Sequence, residues 1–98
     1  MQMKLKFTKE ALKNLKALKA NSAQNGRLKQ VLKALGFMET NLKHTGLCTH
    51  KYDSLSGPNG EEVFEAYAQN QTPGAYRVFW FYGPDKREIT VIAITPHP

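Results

Sequence analysis

Two runs in the second half of the chain, AYRVFWFY (residues 75–82) and EITVIAIT (residues 88–95), limit the fold more than any other feature. Successive side chains of a strand point to opposite faces. In the first run Tyr76, Val78, Trp80 and Tyr82 share one face, and Arg77, Phe79 and Phe81 share the other. A strand that is apolar on both faces needs cover on both, so it is expected at the centre of a sheet. The second run reads the same way. Ile89, Val91 and Ala93 fall on one face, extended by Thr95 and His97, and Ile92 and Ile94 fall on the other. The charged turn GPDKR between the runs makes them a hairpin.

The rest of the chain supplies what covers such a sheet. Met3, Leu5 and Phe7 alternate with Lys4 and Lys6, a period of two that predicts a short N-terminal strand. Thr8 is a helix N-cap, with Glu10 in the first turn where negative charge suits the dipole. Ala11, Leu15 and Leu18, with Leu12 beside them, then predict an amphipathic helix over residues 9–20. NSAQNG interrupts it. Leu28, Val31, Leu32 and Leu35 predict a second helix, with Gly36 as its stop. Residues 37–49 lose periodicity and read as loop with a possible helical turn. Residues 51–55 are a short strand candidate, SGPNGE a turn, VFEAYA (63–68) a strand and QNQTPG a loop. The expected fold class is α+β: an N-terminal strand and a two-helix hairpin packed on a three- to four-stranded, mainly antiparallel sheet.

The 98 residues suit one domain, taken here as residues 1–98. No apolar run approaches the ~18 residues of a membrane span, and MQMKLKF lacks the apolar region of a secretory signal. One cysteine, Cys48, allows no internal disulfide, so a reduced, cytoplasmic setting is expected. The net charge of +6 is unevenly spread. Residues 1–43 carry ten Lys/Arg against Glu10 and Glu39, whereas residues 44–98 carry four against six acids. A basic helical half points to a polyanion or an acidic protein partner, or to a solvated lysine-rich face.

Arg77 is a lone cation in an otherwise apolar strand and needs a partner if buried. A hairpin register in which paired numbers sum to 142 sets Glu65 directly opposite it, as a cross-strand ion pair. His44, Cys48, His50 and His97 are metal-ligating types, but H-x3-C-x-H is not a zinc spacing, so no metal site is expected. Cys48 with a histidine forms a nucleophile pair only if the fold brings them together.

The ordered set of a basic strand, a helical hairpin and a meander resembles the RelE/ParE superfamily of bacterial toxins from toxin–antitoxin systems. VFEAYAQNQTPGAYRVFWFY resembles that family's hairpin, and ITVIAITPHP its last strand. The resemblance covers nearly the whole chain. It implies a compact α+β unit and, for RelE-type members, ribosome-dependent mRNA cleavage that uses the RNA's own 2′-hydroxyl. Such a reaction asks for a base, a cation facing the phosphorane and an acid, with no metal or other cofactor.

Carried onto this chain, the resemblance makes Arg77 the phosphate stabiliser and His97 an acid or base. It places His50 and Lys51 in a segment that carries basic or general-base groups, and Tyr76 matches the family tyrosine but reads as core. Lys9, Lys13, Lys16, Arg27 and Lys29 are the candidate phosphate contacts on the helices. The implied partners are a cognate antitoxin, the ribosome and mRNA, with no membrane. Two alternatives remain: a ParE-like inhibitor of DNA gyrase that cleaves nothing, and a degenerate member that only binds a protein partner.

Overall fold

A computed structural model of the chain describes residues 2–70 and 72–97. Gln71, in the expected loop 69–74, lies outside the described residues, as do Met1 and Pro98. The elements run β1 (Lys4–Phe7), α1 (Lys9–Ala20), α2 (Asn25–Thr40), β2 (His50–Ser56), β3 (Glu62–Tyr67), β4 (Tyr76–Tyr82) and β5 (Glu88–Pro96). The five strands form one sheet in the order β1-β5-β4-β3-β2. The two-sided apolar strands β4 and β5 therefore lie inside it. The N-terminal strand joins the four later strands in this sheet and makes it mixed, because β1 pairs parallel with β5 while the other neighbours are antiparallel. The parallel pair follows from the intervening chain, which leaves β1 through two helices and three strands before β5 comes to lie beside it.

Thr8 caps α1 as its position predicts, its Oγ1 accepting the Ala11 N–H at 3.1 Å. The same hydroxyl donates to the Ile92 carbonyl at 3.1 Å, and Asn14 Oδ1 accepts the Ile94 N–H at 2.9 Å. Where β1 ends at Phe7, α1 thus takes over the partners of the β5 backbone, which meets the demand that buried backbone groups be paired. Ala11, Leu15 and Leu18 of α1 and Val31, Ala34, Leu35 and Met38 of α2 are buried against Ala66, Val78, Trp80, Ile89, Val91 and Ile94 of the sheet. Both helices lie on one face.

Several expectations change here. Gly36 does not stop α2, which runs on to Thr40 because Met38 continues the buried stripe i, i+3, i+4, i+7 from Val31. Leu12 and Leu32, counted with the apolar stripes, are exposed on the outer side of the hairpin. In β5 the register shifts by one residue between Phe79↔Ala93 and Trp80↔Val91, so Ile92 is a bulge. The bulge reverses the alternation. Ile89 and Val91 share the helix-side core with Ile94, and Ala93, Thr95 and His97 pass to the opposite face. Strict period-two counting across the bulge had mixed these two sets.

Candidate active site

The sheet face away from the helices carries Val63, Glu65 and Tyr67 from β3 and Arg77, Phe79 and Phe81 from β4. Its centre is Glu65, a fully buried carboxylate with 1% exposure. The β3–β4 register pairs Tyr67 with Arg77 and Glu65 with Phe79. The expected sum of 142 is thus corrected to 144, because the loop that joins the strands closes one pair nearer the turn. Arg77 and Glu65 stay on one face, one pleat apart, with Nε 3.9 Å from Oε2.

Three elements bring their side chains to this carboxylate. β2 pairs His50 with Glu65, and His50 Nε2 lies 2.7 Å from Oε1. β5 extends past its last ladder pair, the His97 N–H donating to the Ala75 carbonyl at 3.0 Å. That contact fixes His97 so that its Nδ1 meets Glu65 Oε2. Arg77 lies with Cζ 3.7 Å from the centre of the Tyr67 ring, a cation–π contact, and Nη1 donates to the Gln69 and Tyr76 carbonyls. Its buried Nε has no hydrogen-bond partner, since 3.9 Å to Glu65 is too long for one. Tyr52 closes the rim, its ring 4.9 Å from Phe79 and 6.3 Å from His97. A buried carboxylate is tolerable because two imidazoles and a guanidinium surround it.

The expected site residues separate into three groups. Arg77, His97, His50 and Glu65 meet. Lys51 does not join them, because alternation along β2 turns it to the other face from His50. It pairs with Glu62 at 2.9 Å, and the hydrogen bond and charge of that carboxylate raise its pKa. Lys9, Lys13, Lys16 and Lys29 are exposed on α1 and α2, across the sheet from Glu65. Arg27 is held in place: Nε donates to Gln69 Oε1, Nη1 to Gln24 Oε1, and the guanidinium lies 4.7 Å over the Tyr76 ring. That half-buried ring lies on the helix side. Gln69 therefore links Arg27 on α2 to Arg77 on β4.

Among the described residues no group of three His, Cys, Asp or Glu side chains is arranged to hold a metal ion. Cys48 meets His50 only through its carbonyl oxygen, 2.7 Å from Nδ1, so the fold does not assemble a thiol–imidazole pair. Sequence reasoning missed that Glu65 serves both histidines as well as Arg77. The shared parity of Glu65 and Arg77 was visible, but the approach of residues 50 and 97 was not. It also missed Tyr67 as the ring under Arg77, although a corrected register sets the two directly opposite.

No family model matches the sequence, and no curated protein does. Solved structures do match in shape. The RelE–RelB complex from Pyrococcus horikoshii contains a chain with TM-score 0.64 and 18% identity, matched over 98% of this chain and 96% of that one. The YoeB/ParE toxin from Agrobacterium tumefaciens matches with TM-score 0.69 and 11% identity, over 98% and 100% of the two chains. The YoeB dimer from Staphylococcus aureus matches with TM-score 0.63 and 13% identity, over the full length of both. At 11–18% identity these likenesses show a shared fold: the chain has the same architecture as the toxin chains of those structures.

Proposed function

We propose that this chain is the toxin of a toxin–antitoxin system and a metal-independent endoribonuclease that cleaves mRNA on the cytoplasmic ribosome. The observation that carries the reading is the meeting of Arg77 and His97 on the sheet face away from the helices, both against Glu65. His97 takes the proton of an RNA 2′-hydroxyl, whose oxygen attacks the adjacent phosphorus. The bond to the 5′ oxygen breaks, and water protonates that oxygen as it leaves. Arg77 compensates the charge on the phosphorane, the kind of fixed electrostatic help that contributes most to such reactions. The lysines of α1 and α2 add sequence-independent grip on ribosomal RNA phosphates from the other side of the molecule. A cognate antitoxin is the expected protein partner, because the archaeal structure of this fold is a complex of RelE with RelB.

Primer extension on cellular mRNA after induction tests the reading. New 5′ ends within open reading frames support it. Growth arrest with intact mRNA and inhibited gyrase supports the ParE-like alternative instead. The near absence of free cations beside Glu65, with Arg77 only 8% exposed, is the feature that favours that alternative.

A further inference from the structure

We infer that Glu65 is the positioning residue of this site: it holds His97 in the tautomer that leaves Nε2 free to take a proton, and His50 serves as its fixed counter-cation. The inference rests on the nuclease reading for its consequence, and on hydrogen-bond chemistry for its content. An ionised carboxylate only accepts, so the contact between His97 and Glu65 Oε2 puts the ring hydrogen on Nδ1. In the neutral ring Nε2 then carries the lone pair. The His97 side chain is 49% exposed, so the ring is within reach of a substrate. His50 differs. Its Nε2 faces Glu65 Oε1 at 2.7 Å and its Nδ1 faces the Cys48 carbonyl at 2.7 Å. Both partners are acceptors, and a neutral imidazole has one N–H to give. Only the doubly protonated ring satisfies both, and that ring has no lone pair with which to act as a base.

Two imidazoles on one carboxylate therefore have different roles. His50 on one oxygen and Arg77 near the other surround the buried Glu65 carboxylate with basic side chains. The anion orients His97 and stabilises the imidazolium formed when Nε2 takes the 2′-hydroxyl proton. A carboxylate behind the imidazole of a hydrolytic triad does the same.

The test combines two measurements on the full chain. In nitrogen-15 NMR of histidine-labelled protein at neutral pH, His97 is expected as the Nδ1–H tautomer and His50 with both nitrogens protonated. In Glu65→Gln, His97 is expected to lose its single tautomer and His50 its second proton. RNA cleavage should fall about 10²-fold in Glu65→Gln and recover in part in Glu65→Asp. His97→Gln should cost at least as much as Glu65→Gln, and His50→Gln less than about tenfold. A folded Glu65→Gln protein that cleaves within a few-fold of wild type overturns the inference, as does a wild-type His97 protonated at Nε2. If the wild-type chain cleaves no RNA, the nuclease reading fails, while the tautomer measurement still decides the role of Glu65.

Discussion

Arg77 lies diagonal to Glu65, because Tyr67 occupies the position directly across the ladder and Nε stands 3.9 Å from Oε2. One pleat of offset changes what the arginine does. A directly opposed pair would use up the guanidinium in a salt bridge. The diagonal one instead lays it on the Tyr67 ring and ties Nη1 to two carbonyls, with Nε unbonded beside the carboxylate. Glu65 meanwhile draws its hydrogen bonds from His50 and His97.

The first prediction concerns that arginine. Arg77→Ala should stay folded, with a stability loss of about 1–3 kcal/mol from the cation–π contact and the two carbonyl bonds. Cleavage should fall about 10²–10³-fold, the cost of removing one well-placed oxyanion donor. Urea denaturation beside a cleavage assay checks both. An Arg77→Ala chain that does not fold would mean that the arginine serves structure first. Arg77→Lys should keep most of the stability and little of the activity, since an ammonium lacks the planar fork.

The basic helix surface and the Glu65 cluster lie on opposite faces of the sheet, so they should be separable. Replacing Lys9, Lys13 and Lys16 together with Gln should weaken binding to ribosomes or to long RNA. The slope of log K against log salt should become less steep by about 2, at about 0.7 per lost phosphate contact. Cleavage of mRNA on the ribosome at saturating protein should change by less than a few-fold. Equal losses in both assays would show that the two faces work as one site.

Lys51 should behave as a surface residue. Its pair with Glu62 is exposed, and that partner raises its pKa. A raised lysine pKa means that the pair's contribution is complete below the unfolded-state value and is lost only as strong alkali titrates the folded group. At neutral pH Lys51→Ala should leave both the melting temperature and cleavage nearly as they were. A large loss of cleavage in this variant would return Lys51 to the site.

Gly36 lies inside α2, is exposed, and has no atom within 4 Å of the place where a Cβ would stand. Gly36→Ala should therefore stabilise the protein by about 0.5–1 kcal/mol, the helix-interior difference between the two residues. The urea midpoint should rise with the m-value unchanged. A fall in the midpoint would mean that α2 needs glycine at this position.

Much of the fold was legible in the chain because it rests on local rules. The β1 alternation, the Thr8 cap, the α1 stripe and the hairpin of two-sided strands all follow from spacing within a dozen residues. The end of α2 was not legible, because Gly36 looks like a C-cap on propensity alone. Burial of Met38 outweighs the roughly 1 kcal/mol that a helical glycine costs.

The candidate site was half legible. Arg77 stood out as a cation in an apolar strand and His97 as the residue beyond the last one, and antiparallel geometry brings the two ends together. Glu65 shared a face with Arg77 by parity alone. His50 did not stand out as a partner of that carboxylate, because its approach depends on β2 closing the sheet edge across a loop without periodicity.

What the sequence determined by itself was therefore the set of elements and the parity of the residues within each, since backbone geometry repeats over a few residues whatever lies around it. What only the tertiary structure decided was phase between elements: the register of β3 on β4, the Ile92 bulge that hands Ala93, Thr95 and His97 to the face away from the helices, and the parallel seat of β1. A shift of one residue reverses a whole strand, yet it changes no local propensity. Only the burial of Trp80, Val91 and Ile94 together in one core selects among the possible phases, and that selection is what carries His50, Arg77 and His97 to Glu65.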